Sequence, residues 1–286
     1  MSEFVSPLRY PGGKLKVVGY IKRLMKANGL CDGTYIEPYA GGASVALSLL
    51  FEEYASKIHI NDIDRSIYAF WHCVLNETDA LCRLIEDTPV NMDVWNVQRE
   101  VQTHKQEAEL LELGFSTFFL NRTNRSGILK GGVIGGKNQE GKFKIDARYN
   151  KKALIDRIES VAEYTDRIVL TSKDAVELIG NIRKPSEKTF CYLDPPYYIK
   201  GRDLYLNYYT DADHKDIAKA IKKYKGKWII SYDAVDFIKD LYRDYRQKEY
   251  FLSYSAGNPS KGKEIMVYSD GLVIPEEDIV KQHKRI

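Results

Sequence analysis

Short apolar runs recur at both ends of the chain, each bounded by Gly, Pro, Asp or Lys, which is the pattern of buried strands. They are TYIEP (34–38), KIHIN (57–61), RIVLT (167–171), KTFCYL (188–193), GKWIIS (226–231), KEYFLSYS (248–255) and EIMVYS (264–269). Between most of them the periodicity changes to that of helices. Gly42 to Tyr54 follows the first strand and Asp174 to Gly180 the third. In DADHKDIAKAIKKY the apolar residues Ile217, Ile221 and Tyr224 repeat at helical spacing, and Asp211 or Asp213 stands where an N-cap is wanted. Strands separated by helices predict a mostly parallel sheet covered on both faces. The last two strands are joined by a loop too short for a helix, so one edge strand should run antiparallel. The expected class is α/β with a seven-stranded sheet.

From about Asp64 to Tyr164 the strand pattern lapses. IYAFWHCVL, DALCRLIED and the long VWNVQREVQTHKQEAELLEL read as helices, followed by a glycine-rich segment that reads as a hairpin. The predicted organisation is therefore a discontinuous α/β core, 1–65 and 165–286, carrying a mainly helical insert with a β-hairpin over 66–164. The tail KQHKRI reads as disordered.

At 286 residues the chain is near the upper limit for one hydrophobic core. With 44% hydrophobic and 29% charged residues, its composition is that of a globular protein. The cysteines Cys31, Cys73, Cys82 and Cys191 form no CxxC pair, which argues against a disulfide framework or zinc ribbon and for a reducing compartment. The opening MSEFVSPLRYPGGK has no apolar stretch, and no run approaches a membrane span, so a cytoplasmic location is expected. Net charge is only +3, yet residues 121–152 hold nine basic side chains against two acidic ones. A solvated loop is the plain reading of a charge run. Here six glycines between Gly127 and Gly141, with Phe118, Phe119, Phe143 and Tyr149 nearby, make a basic reader of phosphates and bases the better one.

The most informative string is CYLDPPYY (191–198), an apolar strand running into Asp194, Pro195, Pro196 and Tyr197. Residues at the C-terminal end of a strand in an open α/β sheet face the crevice where ligands bind. The prolines remove two N–H donors and hold the loop extended, so its carbonyls act as fixed acceptors. A carboxylate, a stiff carbonyl and an aromatic face suit an NH₂ group on a planar ring. TYIEPYAGGASVALSLL (34–50) is a strand, a small-residue turn and a helix, in which glycines let backbone approach a ligand; it does not match GxGxxG. Asp62 ends the next strand about twenty residues on, where such folds hold ribose hydroxyls. Asp64 is the better candidate for the following N-cap. PLRYPGGKLK presents Lys14 beside Tyr10 but fails as a phosphate-binding Walker motif, with Leu8 and Leu15 at defining positions. HExxH and GxSxG are absent and the five histidines are dispersed, so no metal site is expected.

PLRYPGGK, YIEPYAGGA, INDID, a long insert and LDPPYY, in this order, resemble the Dam-type family of DNA adenine N6-methyltransferases. FLNRTNRSG (119–127) and KGKEIMVYS (261–269) extend the resemblance over nearly the whole chain. It implies a Rossmann-like methyltransferase fold with an inserted target-recognition domain, and S-adenosylmethionine as methyl donor. The implied cofactor site is Tyr10, Lys14, Glu37, Tyr39, Ala40, Gly41, Asp62 and Asp194, with catalysis by Asp194, Pro195, Pro196 and Tyr197. Arg122, Asn124, Arg125, Lys130, Lys142 and Lys144 would meet double-stranded DNA. The family's Phe in the first loop is Tyr39 here, its glycine two places after Gly41 is Ala43, and its aromatic before Gly-Gly-Lys, often Trp, is Tyr10. Relatives that read GATC carry arginine in place of Lys130, which leaves the recognition sequence open.

The implied reaction is direct transfer of the sulfonium methyl to the N6 amine of an extruded adenine. The expected partners are duplex DNA and a cognate restriction endonuclease, with no membrane, and the expected state is a single chain. The alternatives are amino methylation of cytosine N4 or of RNA adenine, and a DNA-binding relative without activity. Cytosine relatives tend to carry Ser in place of Asp194.

Overall fold

A computed structural model describes residues 6–9, 14–182, 184–199, 209–254 and 260–280. Its strands are β1 (Gly33–Glu37), β2 (Ala55–Asn61), β3 (Ile168–Thr171), β4 (Phe190–Leu193), β5 (Lys227–Asp233), β6 (Arg246–Tyr254) and β7 (Ser260–Tyr268). Helices are α1 (Leu15–Ala27), α2 (Ser44–Phe51), α3 (Arg65–Asn76), α4 (Thr78–Asp87), α5 (Met92–Thr103), α6 (Leu110–Thr123), α7 (Lys151–Ala162), α8 (Ala175–Asn181), α9 (Asp211–Lys223) and α10 (Asp236–Leu241). The strands form one seven-stranded sheet in the order β3-β2-β1-β4-β5-β7-β6. β1 pairs parallel with β2 and β4, and β4 with β5, whereas β7 runs against both β5 and β6. The antiparallel edge is thus the β6–β7 pair. All four residues of β4 are buried, as a central strand covered on both faces requires.

Packing divides the chain into two compact units, Met1–Pro11 with Asp62–Ser172, and Gly12–Asn61 with Lys173–Ile286. In the second, Ile36 and Leu193 on the strands pack with Ile217 and Ile221 of α9, Trp228 and Ile230. Burying such side chains stabilises by about 1.5–3 kcal/mol each before conformational entropy is set against it. The N-cap of α9 is Thr210, not Asp211 or Asp213. Asp213 sits at the third helical position and completes a reciprocal capping box, because its carboxylate reaches back to the Thr210 amide at 2.7 Å. The sequence reading passed over α1, which buries Val17, Tyr20, Ile21, Leu24 and Met25.

In the other unit Asp64 caps α3 by accepting from the Ser66 amide at 3.0 Å, as expected. The long helix expected over Val94–Leu113 is broken into α5 and α6. Arg65 holds the break by donating to the carbonyls of Lys105 and Ala108, both at 2.9 Å. Physically, α6 is buried from Leu113 through Asn121, and a helix buried all round cannot continue the solvent-facing α5. The expected hairpin is also absent. Residues 124–150 form turns with one isolated antiparallel bridge, Asn124 to Val133. Positive φ at Ser126, Gly127, Gly135, Gly136 and Gln139 reverses the chain too often for a ladder to grow. Among the described residues no helix is long and apolar enough to cross a membrane. The tail KQHKRI lies outside the described residues.

Candidate active site and nucleic-acid interface

β4 delivers Asp194 one residue past Leu193, which is in register with Ile230 of β5, so the carboxylate arrives beside Ser231. Ser231 Oγ donates to Asp194 Oδ1 at 2.7 Å and lies 2.9 Å from the Tyr192 hydroxyl. The loop beyond is fixed by Asp233 at the end of β5. Its two carboxylate oxygens accept from the amides of Tyr198 and Ile199, both at 2.8 Å. Tyr198 stacks on Phe237 with centroids 4.7 Å apart and leans on the buried His214 at 5.5 Å.

Lys14 reaches the same point. Its ammonium lies 2.8 Å from Asp194 Oδ1 and 3.4 Å from Glu264 Oε2, and donates to Ser231 Oγ and the Tyr197 hydroxyl. Burial opposes the charge on Lys14, yet the surrounding anions, above all Asp194, hold its pKa well above the ordinary lysine value. Burial likewise pushes Asp194 above the usual carboxylate range, against the pull of Lys14 and the Ser231 hydrogen bond. Both contacts on Asp194 converge on Oδ1, and among the described residues none falls on Oδ2. Tyr197 is buried, with Lys14 Nζ 4.9 Å from its ring centroid.

The turn between β1 and α2 has Gly41 at φ +47° and Ala43 at φ +48°. An L-residue at Ala43 is strained by roughly 1–2 kcal/mol, at a position where the resembled family has glycine. Asn61, wholly buried, pins this turn: its side chain donates to the carbonyls of Pro38 and Lys173 and accepts from the Lys173 amide, each at 2.9 Å. Asn61→Ala should therefore lower stability by about 2 kcal/mol by leaving buried backbone groups unpaired, read as a fall in denaturant midpoint at unchanged slope. Ala40 donates its amide to the Asn61 carbonyl at 2.8 Å, and the Tyr39 hydroxyl lies 2.8 Å from that of Tyr209. Burial, then the neighbouring Asp194, push Glu37 well above the usual carboxylate range. Its Oε2 is buried without a hydrogen-bond partner among the described residues. An orphaned acceptor beside a small-residue turn fits a ligand with a cationic amine, as S-adenosylmethionine has. Asp62 opens the other compact unit, where its Oδ1 accepts from the Asp64 amide at 2.9 Å. Tyr10 lies outside the described residues.

In that unit Asn121 ties Arg9 to the glycine turn by accepting from the Arg9 amide and donating to its carbonyl, both at 2.7 Å, and to the Gly127 carbonyl at 2.9 Å. Gly127, at φ +76°, tolerates no side chain, since a Cβ would meet the Arg9 carbonyl at 2.5 Å. Asn124, counted above among DNA-facing residues, is completely buried: it accepts from Trp95 Nε1 and donates to the carbonyls of Ile128 and Leu129. Its role in this structure is to hold the loop. Arg122 donates to the Arg148 carbonyl at 3.0 Å. Burial, then the like charges of Arg9 and Arg157, bring its guanidinium down to about 9. Arg125, Lys130, Lys142 and Lys144 are exposed. Arg125, Gly135, Gly141, Lys142 and the 57% exposed Phe143 line an open cleft of about 270 Å³. At the C-terminal end of α3, His72, Cys73 and the capping residue Glu77 bring ligand-type atoms within 4.8 Å of one another. Burial pushes the Cys73 thiol up to about 12, and it donates to the Leu110 carbonyl, as a packed thiol does.

Sequence reasoning did not find Asn61, Ser231, Asp233 or Glu264. Each acts on residues distant in sequence, although Asn61 lies within INDID and Glu264 within KGKEIMVYS, both noted above.

The family model described as D12 class N6 adenine-specific DNA methyltransferase matches residues 10–254. The chain is 24% identical over 268 residues to the type II methyltransferase M.MjaIII of Methanocaldococcus jannaschii, covering 85% of this chain and 89% of that one. It is 25% identical over 222 residues to the type II methyltransferase M.CviBI of Paramecium bursaria Chlorella virus NC1A, covering 77% of this chain and 81% of that one.

Proposed function

Because the chain belongs to the D12 class of N6 adenine-specific DNA methyltransferases, we propose that Asp194 and the Pro195 carbonyl grip the N6 amine of an adenine extruded from duplex DNA. The observation that carries this is the anchoring of Asp194 at Oδ1 by Lys14 and Ser231, which presents Oδ2 to a substrate. S-adenosylmethionine, when bound, supplies an electrophilic methyl on a positively charged sulfur. Glu37, Tyr39, Ala40, Gly41 and Asp62 would hold it, with Tyr10 and Lys14 completing the site.

The adenine amine is a poor nucleophile because its lone pair is delocalised into the ring. Accepting its two hydrogens at Asp194 Oδ2 and the Pro195 carbonyl returns density to nitrogen and stabilises the positive charge that develops there. Holding the amine in line with its electrophile contributes about 7–11 kcal/mol through positioning. Burial raises the Asp194 pKa, which suits Oδ2 to take the proton that the methylated amine sheds. Extruding the base costs a few kcal/mol, of which stacking on Tyr197 returns about 1–3. Pro196 keeps the loop extended.

In this reading the insert over 66–164 recognises DNA. Arg122, Arg125, Lys130, Lys142 and Lys144 contact phosphates and base edges, while Asn124 shapes the loop that carries them. Neutralising Lys142 and Lys144 together should reduce the slope of log affinity against log salt by about 2, roughly one for each phosphate that no longer meets a cation. An unchanged slope would place both lysines off the backbone. The enzyme acts in the cytoplasm as a single chain, and its type II relatives point to a cognate restriction endonuclease as its functional partner. The test is methylation of random duplex DNA, with one portion digested to nucleosides and another sequenced by a method that detects modified adenine. N6-methyl-2′-deoxyadenosine confined to one sequence context supports the reading, and N4-methyl-2′-deoxycytidine or no modified nucleoside contradicts it.

A further inference from the structure

Four arginines from separate elements gather within the unit formed by Met1–Pro11 and Asp62–Ser172. Arg122 stands on α6, Arg157 on α7 and Arg148 in the segment just before α7. Arg9 joins them from the N-terminal segment, its backbone clamped by Asn121 and its Nη1 donating to the Asn124 carbonyl at 3.2 Å. Arg122 Nε donates to the Arg148 carbonyl, and neither of its Nη atoms has a hydrogen-bond partner among the described residues. The side chains of Arg148 and Arg157 make no hydrogen bond there either. Among the described residues no carboxylate lies within ion-pair distance of any of the four. Their charges are held together at a cost. Burial, then Arg148, lowers the pKa of Arg9, and burial, then Arg9 and Arg157, brings that of Arg122 down to about 9. Tyr149 interacts electrostatically with Arg122, and this 6% exposed residue has a buried hydroxyl without a hydrogen-bond partner among the described residues. Charges withdrawn from water are ordinarily paired, and what this group of donors lacks is an anionic acceptor.

We propose that Arg9, Arg122, Arg148 and Arg157 bind one backbone phosphate of duplex DNA, at a place distinct from the cleft lined by Arg125 and Lys142. A phosphodiester offers two unesterified oxygens and one negative charge, which guanidinium forks meet with paired N–H donors. The bonds from Arg9 and Arg122 to backbone carbonyls orient two of these forks before DNA arrives, so less side-chain freedom is lost on binding. A phosphate held here would set the register of the duplex against the insert without reading its sequence. This inference rests on the DNA reading given above.

A methylphosphonate scan tests it. Duplexes carrying the sequence that the enzyme methylates are made with one phosphate at a time replaced by its neutral methylphosphonate. Each is titrated with the full chain by fluorescence anisotropy. For the wild type, one replacement should weaken binding by about 10–100-fold, the size of a lost hydrogen bond to a charged group. Arg148→Gln and Arg157→Gln should each weaken binding of the unmodified duplex about tenfold. In both variants that same replacement should then cost less than about twofold, while every other replacement costs what it costs the wild type. The denaturant midpoint of Arg148→Gln should hold or rise, since a like charge is removed from beside Arg9 and Arg122. Losses that add at every position, unchanged affinity in either variant, or a lowered midpoint would each overturn the phosphate site while leaving the DNA reading in place. Failure of the wild-type protein to bind any duplex would overturn both.

Discussion

Asp194→Ala is expected to lower the single-turnover rate of methyl transfer by about 10²–10³-fold, the size found when a preorganised charge-stabilising group is removed. The fold should survive. Lys14 keeps Glu264 as an ion-pair partner, and the loop beyond is held by Asp233 rather than by Asp194. DNA retention in a mobility-shift assay should stay within a few-fold of wild type, because the exposed cations assigned to DNA lie in the other unit. Enhanced fluorescence of 2-aminopurine at the target position should persist, which separates extrusion of the base from chemistry on it. Asp194→Asn keeps an acceptor oxygen without its charge and should fall between the two. A rate for the alanine variant within tenfold of wild type would remove Asp194 from the reaction.

Lys14→Met should cost about 3 kcal/mol of stability near pH 8, the lower end of what removing one partner of a buried ion pair costs. Asp194 and Glu264 would then both lose the ammonium that lies within ion-pair distance of each. The loss depends on pH, with a definite sign. Burial already raises the Asp194 pKa, and removing Lys14, which lowers it, raises it further. A carboxyl whose pKa is raised in the folded state binds more protons there than in the unfolded chain, so stability falls as pH rises. The deficit of the variant should therefore shrink as pH falls from above the raised value toward the ordinary carboxylate value near 4. Urea denaturation of both proteins at several pH values measures this directly. A deficit constant across that window would mean that Lys14 contributes by packing and not by charge.

The strands were legible because a strand buried on both faces needs little beyond a short apolar run with turn residues at its ends, as in FCYL and KWIISY. Asp194 stood out for a related reason, in a local string whose backbone constraint is written in its prolines, whereas Lys14 and Glu37 came in only through the family resemblance. Helix α1 carries its own signal in Val17, Ile21 and Leu24, but the turn-like PGGK before it draws attention from the periodicity. The hairpin failed because glycines favour reversal without specifying register, which needs facing side chains that 124–150 lacks. Ser231, Asp233 and Glu264 were hidden for a topological reason. Asp233 is opposite Glu264 across β5 and β7, and Tyr250 is opposite Glu264 across β6 and β7. Such pairings follow from where β7 inserts in the sheet, and no local window of sequence contains that. Asn124 illustrates the converse, a polar residue within a basic segment whose side chain turned inward to satisfy Trp95 and two carbonyls.

If Asp194 Oδ2 receives the amine of an extruded adenine, the two atoms must meet in the ternary complex. A crystal structure of the protein with its DNA duplex and S-adenosylhomocysteine measures the relevant distance. Adenine N6 is expected within about 3.2 Å of Asp194 Oδ2, at hydrogen-bond separation, while Oδ1 remains on Lys14 and Ser231. An adenine seated in the site with N6 bonded elsewhere, or a base that stays stacked in the duplex, would contradict it.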